Sequence, residues 1–157
     1  MFTNYRCLLI TLAGLVGISM VCLPAMASLG GDVNSVQLDK AHMKAQVQVQ
    51  QKQAYAVHEI KDKYGVTVRE YVSPQGKVFG VAWQGPFLPD MQQVLGAYTH
   101  QYSAALQQDH AKNRGRHPLN IHQPGLVIET GGHMRAYYGR VYVPQMVPAA
   151  VTAEEIR

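Results

Sequence analysis

Residues 69–90 of the chain read REYVSPQGKVFGVAWQGPFLPD, and this stretch contains the signals for two strands, a tight turn and a helix start. Ser73-Pro74-Gln75-Gly76 has serine first, proline second and glycine fourth, which is typical of a type I turn. The flanking residues are rich in valine and aromatic side chains, so strands are predicted over 66–73 and 77–84. A left-handed Gly76 would turn this connection into a hairpin loop with a bulge.

The segment before this hairpin repeats the pattern. Asp62-Lys63-Tyr64-Gly65 is a second type I turn signal and predicts a further strand over 53–62. Together the two turns set the register of three strands. In the first hairpin, Glu59 is expected opposite Arg69 and His58 opposite Glu70. In the second, the expected pairs are Val72 with Val78, Tyr71 with Phe79, Arg69 with Val81, and Thr67 with Trp83.

This register gathers aromatic rings and a guanidinium on one face of the sheet, because side chains alternate between the faces of a strand. Aromatic and arginine side chains dominate binding hot spots, and they stack on sugars and peptides. The candidate ligand-binding residues are therefore Arg69, Tyr71, Phe79 and Trp83. The alternative is that the N-terminal helix or the last hairpin covers these residues as ordinary core.

The opposite face of the same register places His58 beside Glu70. A carboxylate next to an imidazole stabilises the charged form of both groups and orients a general base. The two residues are therefore weak catalytic candidates. The alternative is a partly buried cross-strand pair without chemistry, and no serine or threonine nucleophile is placed beside them by the sequence.

The remaining segments complete the expected fold. Asp90 is a good N-cap for a helix that runs to about His110 with one apolar stripe. A helix is also predicted over 33–45, with 46–52 left undecided. A loop is expected over 112–125, then strands over 126–130 and 134–143 around Gly131-Gly132. The prediction is one α+β domain over 28–143, with a three-stranded antiparallel meander, a C-terminal hairpin and two helices, followed by a loose tail at 144–157.

Residues 1–27 have the organisation of a secretory signal peptide. Arg6 is followed by an uncharged, mostly apolar run over 7–23, and Ala25-Met26-Ala27 provides a cleavage site. A retained membrane anchor is the alternative, but a run of about 17 residues lies at the lower edge of a spanning length. We therefore expect cleavage after Ala27 and an exported protein, periplasmic or extracellular, that has no stable membrane anchor.

Composition narrows the functional classes. Cleavage would remove both cysteines, Cys7 and Cys22, and would leave 13 basic against 10 acidic residues, since Arg6 is also lost. This mild charge argues against nucleic-acid binding, which needs a clustered basic face. The seven histidines are scattered, and only His117 and His122 are close in sequence. We therefore expect no specific metal site. No cofactor motif is present, and none is expected.

The sequence also resembles a known family. The start of the mature region (Ser28, Gly30, Gly31, Ser35 and Val36), the run REYVSPxGxVFxVxWxGPxxPD over 69–90 and Leu95-Gly96-x-Tyr98 are similar to small exported bacterial proteins grouped as domain-of-unknown-function family 2844. The resemblance covers most of the mature chain. It implies a bacterial origin and export, and it assigns no catalytic or binding role to particular residues.

Three functional hypotheses follow. The first is a non-enzymatic binding or accessory module of the bacterial envelope, with an envelope protein or a cell-wall component as its partner. The second is a small hydrolase that uses His58 and Glu70. The third is an assembly factor that adds a partner strand to an open sheet edge.

Overall fold

Seven antiparallel strands form one sheet in the computed structural model, which describes residues 29–32, 46–112 and 118–157. The predicted signal peptide and the predicted helix over 33–45 lie outside these residues. The strands are β1 (Gln46–Gln51), β2 (Ala56–Lys61), β3 (Thr67–Val72), β4 (Val78–Gly85), β5 (Asn120–Gln123), β6 (Leu126–His133) and β7 (Ala136–Tyr142). The helices are α1 (Met91–Leu95) and α2 (Thr99–Lys112).

The strand order is β1-β2-β3-β4-β7-β6-β5, so two local meanders meet where β4 pairs with β7. The undecided segment 46–52 contains β1, and the expected loop over 112–125 contains β5. The prediction of a small domain with an antiparallel sheet is confirmed. The predicted strand count is wrong, since the described residues are mostly sheet and form seven strands where five were predicted. Of the two predicted helices, the one after Asp90 is divided into α1 and α2, and the one over 33–45 lies outside the described residues.

The register of the first hairpin is confirmed. Glu59 pairs with Arg69, and His58 pairs with Glu70. The Asp62 carboxylate accepts hydrogen bonds from the backbone N–H groups of Tyr64 and Val66, both at 2.8 Å. Gly65 follows with a φ of +87°, in the left-handed region that favours glycine. The turn chemistry therefore set the pairing correctly.

The second hairpin differs from its prediction by one residue. Val72 pairs with Val78 as expected, but a bulge next to that pair makes Tyr71 oppose Gly80. Arg69 then pairs with Ala82, and Trp83 pairs with Val68. A bulge adds one unpaired residue to one strand, so every later side chain of β4 changes face relative to the prediction. Trp83 consequently lies on the opposite face of the sheet from Arg69 and Tyr71.

Each face of the sheet carries its own apolar cluster. We call the side that packs against α1 and α2 the helix face, and the side that packs against residues 144–157 the C-terminal face. The helix face buries side chains that include Ile60, Val68, Val81, Trp83, Leu95 and Ile128. The C-terminal face buries Val57, Tyr71, Phe79, Ala82, Val151 and Ile156. Both faces are covered, which explains why neither has a fully polar pattern.

The predicted long helix is interrupted. Asp90 caps α1 as expected, since its carboxylate accepts from the N–H groups of Gln92 and Gln93. Gly96 then adopts φ +50° and ψ −117°, and a short 3-10 turn over Gly96–Tyr98 precedes α2. A backbone with these angles suits glycine and ends α1. The interruption lets Leu95 be fully buried.

The last hairpin turns later than predicted. His133 pairs with Ala136, so the turn is Met134-Arg135, with Arg135 at a φ of +65°. Gly131 and Gly132 lie inside β6. A β-carbon on Gly132 would lie 2.1 Å from the carbonyl oxygen of Ala136. These glycines therefore permit a close approach of two strands instead of forming the turn.

The prediction of a loose tail is wrong. Residues 144–157, which we call the C-terminal segment, cross the C-terminal face. The segment begins with a short 3-10 turn at Pro144–Met146 and has a second one at Ala153–Glu155. Ile156 is fully buried, and Val151 is buried nearby. Hydrophobic burial of these two side chains holds an irregular segment that shows no helical or strand periodicity. Within the described part of the chain, no helix is long and apolar enough to span a membrane.

Candidate functional site

The structure brings three of the four predicted ligand-binding residues together. Arg69, Tyr71 and Phe79 lie on the C-terminal face, and Tyr55 joins them. The ring centroids of Tyr71 and Phe79 are 6.2 Å apart, and those of Tyr55 and Phe79 are 6.0 Å apart with the rings nearly perpendicular. Trp83 does not belong to this group, because the bulge in β4 turns it to the helix face.

Two arginine–glutamate pairs lie on either side of Ala82 on the same face. Arg69 Nε donates to Glu59 Oε2 at 2.8 Å on one side of Ala82. On the other side, Arg140 Nε and Nη2 both lie 2.6 Å from Glu129 Oε2. The cross-strand register aligns all five residues in one row. The second pair was missed from the sequence, because the hairpin turn was placed at Gly131-Gly132.

Both arginines hold the backbone of the C-terminal segment. Arg69 Nη1 donates to the carbonyl oxygen of Arg157 at 3.2 Å. Arg140 Nη1 donates to the carbonyl oxygens of Ala153 and Ile156. The Tyr71 hydroxyl donates to the Arg157 carbonyl at 2.7 Å and accepts from the Arg157 N–H at 2.9 Å. The predicted binding face is therefore occupied by the chain itself.

The tyrosine hydroxyls at this face are held in their protonated form. Burial raises the pKa of Tyr71. Burial and a 2.9 Å hydrogen bond to Glu155 raise the pKa of Tyr55 to about 12. A polar cleft of about 630 Å³ remains beside these residues, between Arg69 and Glu155. The arginine and tyrosine side chains of this cleft already form hydrogen bonds within the chain, so a ligand would have to displace those bonds to reach them.

His58 and Glu70 lie directly opposite each other on the helix face, as predicted, and both are buried. Removal from water lowers the pKa of His58, so its imidazole is neutral at pH 7. Among the described residues, His58 Nδ1 has no hydrogen-bond partner. A neutral imidazole can accept a proton, but a substrate would first have to reach a buried group. The catalytic role of this pair stays a hypothesis.

A different cavity opens on the helix face. We call it the Trp83 cleft; it lies between the helices and the β6–β7 hairpin and has a volume of about 600 Å³. Its lining is mostly apolar and includes Trp83, Phe87, Leu88, Met91, Tyr102, Leu106, Leu119, Met134 and Tyr137. Phe87, Leu88 and Met134 are 57%, 56% and 75% exposed. These residues come from four separate parts of the chain, so no local sequence pattern could have grouped them.

Trp83 is one of the residues that line this cleft. Its side chain is only 2% exposed, and its indole lies against Gly139 of β7. A β-carbon on Gly139 would lie 2.4 Å from Cζ2 of the indole. The indole Nε1 is buried and has no hydrogen-bond acceptor among the described residues. Leaving such a donor unpaired costs about 1–3 kcal/mol. The cleft thus has a mostly apolar lining that includes Trp83, whose indole N–H is buried without an acceptor among the described residues.

Histidines near a carboxylate do not assemble a metal centre in the described ranges. His122 Nε2 lies 3.3 Å from Glu129 Oε1, but no group of three or more potential ligands is found in residues 29–32, 46–112 and 118–157. His42 and His117 lie outside these ranges.

Comparison with known proteins gives one result. The model of a family described as "Protein of unknown function (DUF2844)" matches residues 25–156. No curated protein and no solved structure matches the chain.

Proposed function

The chain belongs to the DUF2844 family, and we propose that it is an exported, non-enzymatic binding module whose ligand site is the Trp83 cleft. The proposed ligand is a small apolar molecule that carries at least one hydrogen-bond acceptor. The observation that carries this proposal is the group of exposed apolar side chains, Phe87, Leu88 and Met134, around a cleft of about 600 Å³.

The size and lining of the cleft support a small ligand. Binding sites for small molecules typically occupy about 300–1,000 Å³ and combine an apolar lining with a few placed polar groups. Burying the exposed half of Phe87, Leu88 or Met134 would contribute on the order of 1 kcal/mol each. In the free protein this apolar surface stays in contact with water.

The indole of Trp83 supports an acceptor on the ligand. Its Nε1 lacks a partner within the described part of the chain, and a carbonyl, ether or carboxylate oxygen at that position would satisfy it. The contacts of Arg69 and Tyr71 on the C-terminal face also favour the Trp83 cleft as the ligand site. The donors of Arg69 and Tyr71 already bind the C-terminal segment, whereas the indole N–H of Trp83 has no acceptor among the described residues.

The proposed location is the periplasm or the cell exterior. It rests on the signal-peptide organisation of residues 1–27. An intact-mass measurement on protein from the envelope fraction tests this location. A mass that begins at Ser28 is expected, and a chain that retains residues 1–27 would contradict it.

Trp83 is the only tryptophan in the chain, so it reports on the cleft directly. The probe is 1-anilinonaphthalene-8-sulfonate, an apolar dye whose sulfonate oxygens accept hydrogen bonds and which accepts excitation energy from tryptophan. Saturable energy transfer from Trp83 to the bound probe is expected. A fatty acid, a lysophospholipid and a muropeptide are then added as competitors, and the one that displaces the probe identifies the ligand class.

Variants at the cleft rim make the test specific. The double variant Leu88→Asp with Met134→Asp puts charge on the apolar rim, and we expect it to weaken probe binding at least tenfold. Tyr64→Asp is the matched control, because Tyr64 is similarly exposed at 62% but does not line the cleft. Probe binding that does not saturate, or that is equal in the rim variant and the control, would refute the proposal.

A further inference from the structure

The two outer strands of the sheet differ in how they are protected against pairing. Strand β5 has four residues and lies between Pro118 and Pro124, which cannot donate backbone hydrogen bonds. Strand β1 has six residues, QVQVQQ, without proline or charge. Exposed edge strands normally carry charges, prolines or bulges that prevent association. Strand β1 has none of these features.

Strand β1 is also accessible. Gln48, Val49, Gln50 and Gln51 are exposed, and Val49 keeps 52% of its surface in water. Among the described residues, β1 pairs only with β2, and no described strand bonds the N–H and C=O groups of its other edge. A further strand paired with this edge would cover the half-exposed side chain of Val49.

We propose that this edge pairs with β1 of a second copy of the chain, in antiparallel orientation and centred on Gln48. The strand is self-complementary in that register. Gln48 lies opposite Gln48 of the second copy, Val47 opposite Val49, and Gln46 opposite Gln50. Each valine on the helix face meets a valine, and Gln48 on the C-terminal face meets Gln48. The two sheets become one continuous sheet of 14 strands, twice the seven strands of one copy.

The size of this contact sets the expected strength. Stable protein interfaces bury about 1,600 Å² in total, and a pairing of two six-residue strands covers much less. We therefore expect a reversible dimer whose population rises with concentration. The Trp83 cleft belongs to the helices and the β6–β7 hairpin and does not include β1, so the dimer and the ligand site can fail independently.

Cysteine cross-linking tests the register. The only native cysteines are Cys7 and Cys22, and the unaltered chain shows their background. The full chain carrying Gln48→Cys is expected to form a disulfide-linked dimer on mild oxidation, because position 48 meets itself at the centre. Gln50→Cys is the matched control on the same strand and face, since it meets position 46. It should cross-link with Gln46→Cys in a mixture, but not with itself.

Charge substitution tests the same contact in solution by sedimentation at increasing concentration. Gln48→Lys alone should stay monomeric, because two like charges would be directly opposed. Mixing Gln48→Lys with Gln48→Glu should restore the dimer. Melting temperatures of the variants show that they are folded. A monomeric unaltered chain at all concentrations, equal cross-linking at positions 48 and 50, or a complex with a different protein at β1 would overturn the proposal.

Discussion

Single atoms decide where the large side chains of this protein lie. Gly139 of β7 pairs with Trp83 of β4, and the indole occupies the space where a β-carbon would be. Gly80 likewise leaves space for a large side chain, because a β-carbon there would lie 3.2 Å from Ile156 of the C-terminal segment. One glycine therefore shapes the packing on each face of the sheet.

Gly139→Ala should destabilise the protein and disturb Trp83. The added β-carbon would lie 2.4 Å from Cζ2 and 2.7 Å from Cε2 of a buried indole. Such overpacking costs about 1–3 kcal/mol. Urea unfolding measures the loss, and the emission maximum of the single tryptophan reports the displacement of its ring. Ala136→Ser, at an exposed position on the same strand, is the control. Unchanged emission and stability would mean that Trp83 packs elsewhere.

Turn chemistry predicted the first hairpin completely and the second one only in part. Asp62 and Gly65 set the β2–β3 register, which the sequence shows directly. The bulge beside Val72 places Phe79 and Trp83 in apolar clusters on opposite faces of the sheet. Those clusters include residues that are distant in sequence, so the hairpin sequence alone does not predict the bulge. The same holds for the break at Gly96, which depends on the burial of Leu95. The helical stripe alone predicted a continuous helix.

The predicted site was likewise correct where local alternation decides it and incomplete where distant segments decide it. Arg69, Tyr71 and Phe79 could be grouped because they lie on neighbouring strands with clear alternation. The cover over them could not be predicted, since the C-terminal segment contains Pro144 and Pro148 and has no periodic pattern. The Trp83 cleft was also missed as a cavity. It requires the positions of the helices relative to β6 and β7, and these follow only from the assembled sheet.

The β2–β3 pair of His58 and Glu70 should make stability depend on pH. Burial lowers the pKa of His58 from its ordinary value of 6.5. In the sheet, His58 lies between Val49 of β1 and Glu70 of β3. Below pH 6.5 the unfolded chain therefore binds a proton that the folded chain does not, and stability falls as pH falls. Glu59, whose pKa is lowered from 4.5 by hydrogen bonds from Lys61 and Arg69, contributes only below that range.

The measurement is urea unfolding at pH 7.5 and pH 5.5. The unaltered chain should lose more of its unfolding free energy between these two values than His58→Gln, which cannot take up the proton. His100→Gln is the control, because His100 is exposed on α2. Equal pH dependence in the unaltered chain and in His58→Gln would contradict a buried neutral imidazole.

The described part of the molecule is a sheet held between two covers, the helices on one face and the C-terminal segment on the other. The second cover is attached by buried apolar groups and by Arg69, Arg140 and Tyr71, which bond its backbone. Because those bonds go to main-chain atoms, the segment is held in one conformation and not merely attracted to the surface. Its contribution to stability should therefore be that of a core element.

Ile156→Ala tests this contribution. Ile156 is fully buried against Gly80, so truncation to alanine should cost about 2–5 kcal/mol. Ala150→Ser, at an exposed position of the same segment, should stay within about 0.5 kcal/mol. Thermal unfolding of both variants provides the comparison. An Ile156→Ala protein as stable as the control would restore the interpretation of residues 144–157 as a loose tail.

The junction of β4 with β7 also has a kinetic consequence. The strands of each meander are neighbours in sequence, but Gly85 and Tyr137 are 52 residues apart, and Gly80 and Tyr142 are 62 apart. Closing so long a loop lowers the chain entropy before the new contacts stabilise the pair, so non-local pairings form slowly. Until the two halves join, β4 and β7 each keep an open, apolar edge, and such species aggregate readily. The interval before this joining is therefore when a newly made chain most needs a chaperone.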